Sequence, residues 1–205
     1  MSELNFKSST IEKTIDLLKG FLDKAIGPTV DEWGAMLADN VKLRRLKNQI
    51  RNLEKTKKIA EESKINIRQI NLKALVPYLE GVSVEEDETL QEMWANLFVN
   101  YIDTEKNLTI NVYPDILKQL STNEVLILKF MDENDKRLLM NPRTQSGKDY
   151  SGKYTLEELG NLDRLGLIRE EPNYSFYDGH KFEELRPEKF YLTEFGEAFL
   201  NACKR

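Results

Sequence analysis

Thr155-Leu156-Glu157-Glu158-Leu159-Gly160-Asn161-Leu162-Asp163-Arg164-Leu165-Gly166-Leu167-Ile168-Arg169, answered later by Lys189-Phe190-Tyr191-Leu192-Thr193-Glu194-Phe195-Gly196, is the stretch that decides the fold. Thr155 followed three residues on by Glu158 has the form of a capping box, in which each side chain satisfies a backbone N–H at the helix start. Leu156, Leu159, Leu162 and Leu165 then repeat at helical spacing, and Gly166 supplies the left-handed residue that ends a helix. Leu167-Ile168-Arg169 suits a short strand, and Lys189-Phe190-Tyr191-Leu192 a returning one. Between them, Pro172 to Pro187 is polar, aromatic and rich in turn formers. Thr193 caps a last helix through Phe195, Phe199 and Ala202. A second capping box upstream, Ser121-Thr122-Asn123-Glu124, opens another helix. Helix, helix, strand, hairpin tip, strand, helix is the order of a winged helix.

Working outward, residues 133 to 153 carry few element signals, although Asp135 to Met140 is compatible with a short helix or strand. Everything before is helical in pattern. Ile11, Ile15, Leu18, Leu22 and Ile26 recur at spacings of three and four, which predicts a helix over about 10–26 that Gly27-Pro28 breaks. Leu43, Leu46, Ile50 and Leu53 hold a heptad spacing within a predicted helix over about 30–62. Lys57 stands where the next apolar residue belongs, so packing in a helical hairpin fits better than a free coiled coil. A shorter helix is expected over 70–80. Ser83-Val84-Glu85-Glu86 has the form of a third capping box, opening a helix whose face carries Leu90, Met93, Trp94, Leu97, Phe98, Tyr101 and Ile102. The expected architecture is therefore mainly α: an N-terminal helical module, hairpin or bundle, over residues 1–105, then a winged-helix-like α+β domain over 106–205.

Composition limits the function classes. The chain has 205 residues, 32% of them charged, and a net charge of -5, so no global basic excess advertises nucleic acid. Its single cysteine, Cys203, excludes an internal disulfide framework and fits a reducing compartment, with cytoplasmic residence as the expectation. No apolar run is long enough to span a bilayer, which argues against integral membrane insertion.

Charge is nonetheless unevenly spread. Residues 42–73 hold eleven basic side chains against three acids, and residues 74–105 hold eight acids with no Lys or Arg. Lys42, Arg44, Arg45, Lys47, Arg51 and Lys55 are the candidate basic interaction surface, for nucleic acid or an anionic membrane. The competing and favoured account is that the two stretches face each other, within one chain or between two. On the helix that would enter a DNA groove, Glu157, Glu158, Asn161 and Arg164 form the candidate winged-helix surface. With Asp163, three carboxylates there oppose one guanidinium, which suits protein contact better than a polyanion. The hairpin tip is no more basic, since Lys181, Arg186 and Lys189 are matched by Glu183, Glu184 and Glu188.

Catalytic patterns are missing. Gly147-Lys148 fails as a phosphate loop, because Pro142 stands where glycine is needed and Asp149 where Ser or Thr is. No nucleophile elbow, zinc-protease helix or dinucleotide fingerprint occurs. His180, in Asp178-Gly179-His180, has no partner at metal-ligand spacing, and the consecutive carboxylates Glu85-Glu86-Asp87-Glu88 point in different directions on a helix. No cofactor, metal or enzymatic activity is expected. Trp33 and Trp94 read as core anchors.

Leu75-Val76-Pro77-Tyr78-Leu79-Glu80, with Glu85-Glu86-Asp87-Glu88-Thr89-Leu90-Gln91-Glu92-Met93-Trp94-Ala95-Asn96-Leu97, resembles the central signature of the abortive-infection alpha family of bacterial phage-defence proteins. Leu162 to Ile168 and Leu192 to Gly196 are similar to the family's closing segment, and Gly27 to Asp39, with Trp33-Gly34, is a looser match. The resemblance spans about 27–203 and implies a role in protection against bacteriophage. It brings no catalytic residues. The resulting expectation is a non-enzymatic interaction protein that binds a protein partner and forms homo-oligomers. The alternatives are a DNA-binding transcriptional regulator using the basic helix or the winged helix, and a membrane-surface effector using residues 10–26 or the basic helix.

Overall fold

The computed structural model describes residues 8–27, 40–106, 108–141, 146–147, 154–171 and 188–205. Among them are eight helices and four strands in two compact units. The first unit holds the described residues up to Gln119 together with Ala202–Arg205, and the second spans Leu120–Asn201. Chain 106–119 thus belongs with the first unit rather than opening the second, because a short helix within it packs on the helices before it.

The first unit consists of α1 (Ser8–Ala25), α2 (Asn40–Glu62), α3 (Leu72–Val84), α4 (Glu88–Ile102) and α5 (Tyr113–Leu117). The stretch before Asn40 that was expected to begin α2 lies outside the described residues. α1 packs on α2, and α2 on both α3 and α4. Leu46, Ile50 and Leu53 are buried as their spacing requires, but the buried stripe then moves to Thr56 and Ala60. Lys57 therefore does not interrupt the packing; the stripe follows the 3.6-residue helical period past it.

One polar group sits at the centre of this packing. The Asn52 amide of α2 is fully buried, and its Nδ2 donates to the Gln91 carbonyl (2.7 Å) and to Gln91 Oε1 (2.6 Å) on α4. Its Oδ1 accepts the Tyr78 hydroxyl from α3. Gln91 in turn donates to the Glu85 carbonyl (2.8 Å). Burial pushes the Tyr78 hydroxyl far above its ordinary pKa, so it remains a donor. Around this hub, Tyr78 stacks edge-on against Trp94 (5.6 Å, 72°) and tilts over Phe98 (4.6 Å). Gly81 makes the approach of α3 to Trp94 feasible, since a Cβ there would lie 2.5 Å from the indole carbons Cζ2 and Cη2.

The expected capping box at Ser83 does not form. α3 continues through Ser83 to Val84, with Pro77 inside it, and α4 is capped by Asp87, whose carboxylate accepts the Thr89 and Leu90 N–H groups. Ser83 is buried; its hydroxyl donates to the Glu80 carbonyl (2.7 Å) and accepts from Arg45. The extended segment between α2 and α3 is stitched down by Arg68 N–H to the Ile102 carbonyl and Ile70 N–H to the Ala25 carbonyl (both 2.8 Å). Residues 202–205 are held by α4: Asn100 Nδ2 donates to the Ala202 and Lys204 carbonyls (both 2.8 Å), and Arg205 pairs with buried Asp103 (2.9 Å).

In the second unit, α6 (Thr122–Glu133), β1 (Arg137–Asn141), β2 (Ser146–Gly147), α7 (Leu156–Arg164), β3 (Ile168–Glu170), β4 (Glu188–Leu192) and α8 (Glu194–Ala202) follow in order. The four strands form an antiparallel sheet in the order β2-β1-β4-β3, so Arg137 to Met140 is a strand. On β4, Phe190 and Leu192 turn inward while Lys189 and Tyr191 face solvent. Both capping boxes read from the sequence of this unit are present, at Ser121 with Glu124 and at Thr155 with Glu158. Gly166 ends α7 with φ +72°. Thr193 closes the turn, its hydroxyl donating to the Gly166 carbonyl (2.6 Å) and accepting the Gly196 N–H (2.9 Å). The hairpin tip, with Lys181, Glu183, Glu184, Arg186 and His180, lies outside the described residues, as does Trp33.

Replacing Gly81 by Ala sets a helix-propensity gain of about 1 kcal/mol against the Trp94 clash. Overpacking of about 1–3 kcal/mol wins, so G81A should lower the urea midpoint without changing the slope. Asp103 supplies a pH test. Burial opposes its charge, but the Glu105 N–H and the Arg205 guanidinium outweigh burial and hold its carboxyl below the usual range. A depressed carboxylate stabilises the fold above its unfolded pKa and loses that contribution as pH falls through the folded value. The stability gap between wild type and Arg205→Ala is therefore expected to be full near neutrality and to close on acidification.

Candidate interaction surface

α2 presents its basic residues to the segment that joins α3 to α4. Burial of Leu46, Ile50 and Leu53 turns this side of α2 toward α3 and α4, and the polar side chains between them reach across. Arg44 pairs with Glu86 (2.6 Å) and Arg45 Nε donates to Ser83 Oγ (3.0 Å). Arg51 and Lys55 both contact the Glu88 carboxylate. The Lys55 hydrogen bond, with Arg51 beyond it, holds that carboxyl below its ordinary pKa. Farther along, Lys57 meets Glu61 (3.8 Å) and Lys58 meets Glu62 (3.9 Å). Asn48 and Gln49 add hydrogen bonds to the Ser83 and Leu79 carbonyls at the end of α3 (3.0 and 2.9 Å). Lys47 is half-buried, and the Lys42 side chain lies outside the described residues.

Four of the six candidate basic residues thus meet partners on the segment that carries the acidic run, and the facing of the two stretches is realised within one chain. Exposed pairs of this kind contribute roughly 0–1 kcal/mol each. Their larger effect is on surface potential, because a guanidinium shared with a carboxylate offers little to a phosphate. Glu85 behaves differently: burial raises its pKa, while its Oε1 accepts the Glu86 and Asp87 N–H groups (both 2.9 Å).

The α7 surface is smaller than its sequence implies. Glu158 Oε2 accepts the Thr155 N–H (2.7 Å) and its Oε1 accepts Asn123 Nδ2 from α6 (2.9 Å). Reciprocally, Glu124 Oε2 accepts the Ser121 N–H (2.6 Å) and its Oε1 accepts Asn161 Nδ2 from α7 (2.7 Å). Each capping glutamate therefore caps its own helix and receives an asparagine from the other. Glu158 and Asn161 are half-buried in this link instead of standing on an open face. Leu156, Glu157, Gly160, Asp163 and Arg164 remain exposed, and Arg164 donates to Asn161 Oδ1 (2.6 Å).

Among the described residues, no group of three or more His, Cys, Asp or Glu side chains comes together where it could hold a metal ion. No described helix is long and apolar enough to cross a membrane. Cys203 is buried. Two features escaped the sequence reading: the outward apolar side chains of α3, and a cleft of about 420 Å³ lined by Arg68, Asn71, Tyr101, Thr109 and Asn111 among others.

Glu158→Ala removes half of the capping box, worth about 1 kcal/mol, and breaks the hydrogen bond that Asn123 of α6 donates to Glu158. It should destabilise the second unit measurably in a denaturant titration, whereas Glu157→Ala should fall within about 0.5 kcal/mol of wild type.

No curated protein and no solved structure matches the chain. In a comparison with protein families, residues 39–203 match abortive infection alpha. That span covers most of the chain and contains the α3–α4 interlock, the paired charges and the second unit, and so the chain belongs to the abortive infection alpha family.

Proposed function

We propose that this family member acts in phage defence as a cytosolic, non-enzymatic binding protein, and that its contacts are with protein. The observation that carries this reading is the pairing of Arg44, Arg51 and Lys55 with Glu86 and Glu88. It matches part of the basic stretch to acids of the same chain and so weakens the one charge asymmetry in the sequence that favoured nucleic acid or an anionic membrane.

The second unit is read as a winged helix turned toward protein. Support comes from the antiparallel order β1-β4-β3, with α7 leading directly into β3 and β4 into α8. The exposed strip of α7 then takes the place of the groove-reading face, and it carries Glu157 and Asp163 against Arg164. Two carboxylates against one guanidinium repel a duplex and suit a basic or polar protein surface.

A mobility-shift titration of the full chain with duplex DNA, run from low to physiological salt, tests the reading. No shift is expected at either. A low-salt complex that weakens steeply with salt and disappears in Arg44→Glu/Arg51→Glu would establish the regulator alternative instead. In cells challenged with phage, Glu157→Arg/Asp163→Arg should abolish protection while leaving the circular dichroism spectrum unchanged. His180→Ala should protect like wild type, and its failure to do so would point to chemistry at the histidine.

A further inference from the structure

α3 turns an unusual set of residues to solvent. Leu72, Val76 and Val84 are 61%, 53% and 65% exposed, and Lys73 and Glu80 are exposed beside them. At 100° per residue these five positions occupy about a third of the helix circumference. Lys73 and Glu80 are seven residues apart, two turns, and Val76 falls within half a residue of their midpoint. Lys73 makes no ion pair among the described residues. Glu80 sits at the opposite end in an acidic surround: Lys118 is its neighbour (3.4 Å) but is shared with Asp115 (3.2 Å). The face thus has a cation and an acidic surround two turns apart with Val76 between them, and Leu72 and Val84 extend it beyond the two charges.

Such a pattern is complementary to itself when rotated by a half-turn. We propose that a second copy of this chain docks here, α3 against α3 in antiparallel fashion about a twofold axis near Val76, so that Lys73 of each copy meets Glu80 of the other. An isologous contact of this kind uses the same patch twice and closes as a dimer. Ile110 and Val112, just before α5, are exposed as well, and Asn111 between them lines the same cleft as Asn71. α3 is 13 residues long, about 20 Å. A stable interface takes about 800 Å² from each partner, more than one short helix face gives, so the association is transient and concentration-dependent. It requires no phage component, DNA or other protein, which separates it from the binding function proposed above.

Sedimentation velocity of the full chain, from micromolar to submillimolar concentration, reads the association directly. The wild type should shift from monomer toward dimer, and Val76→Arg should remain monomeric throughout. Lys73→Glu places like charges at both ends of the contact and should weaken association about tenfold, two exposed pairs being turned from attractive to repulsive. Lys73→Glu/Glu80→Lys restores opposite charges across the axis and should recover most of that loss. A wild type that stays monomeric at the highest concentration overturns the proposal, as does dimerisation indifferent to Val76→Arg. Failure of the double reversal to recover overturns the antiparallel register. Val76-dependent binding to vesicles of anionic phospholipid, without self-association, would assign the face to a membrane and overturn it equally.

Discussion

The first unit depends on the buried amide of Asn52. Among the described residues its side chain hydrogen-bonds to both α3 and α4, and three of its four hydrogen-bonding sites are used: both N–H groups donate to Gln91 and the oxygen accepts from Tyr78. A buried network of this kind is directional in a way that Leu46, Ile50 and Leu53 are not, since apolar contacts tolerate small rotations and a two-pronged amide does not. Orphaning any member costs about 1–3 kcal/mol, enough to select one rotation of α2 over its neighbours. With that rotation set, Arg44, Arg51 and Lys55 come to lie opposite Glu86 and Glu88. The surface ion pairs are a consequence of the core and contribute little to it.

The same centre explains what the family signature records. The residues that carry the resemblance, Leu75 to Glu80 and Glu85 to Leu97, are those that build the interlock: Tyr78 and Trp94 meet edge to face, and Gln91 completes the amide network. Gly81, just after the first block, makes room for the indole. Asp87 starts α4 where Trp94 must project toward Gly81. Residues that pack in this way speak to the fold of the unit rather than to its chemistry.

Legibility in the sequence followed the range of the interactions. Helix caps at Ser121 and Thr155, the Gly166 stop and the strands on either side of the hairpin tip are decided within a few residues, and each was readable. Ser83 misled because it satisfies the same local pattern, yet tertiary packing carries α3 past it and hands the cap to Asp87. The outward face of α3 could not be read from Leu75-Val76-Pro77-Tyr78-Leu79, where nearly every residue is apolar and periodicity is silent. The crossing of Glu124 to Asn161 and of Glu158 to Asn123 spans 37 and 35 residues, and no local pattern announces it. That crossing decides which residues of the candidate α7 surface remain available.

Because both capping glutamates are used twice, α7 is tied to α6 near its start and in its middle, and what it offers outward is the strip of exposed residues that these bonds leave over. Gly160 lies at the middle of that strip, and a Cβ built there would meet nothing within 4 Å. Among the described residues, packing therefore does not require glycine there. Gly160 also costs about 1 kcal/mol of helix propensity against alanine. Its absent side chain leaves the helix backbone open to close approach between Glu157 and Asp163, with Arg164 at the edge. On the reading proposed above, a protein partner would exploit that geometry through shape and a few directed hydrogen bonds. A DNA duplex, brought equally close, would meet the two carboxylates first.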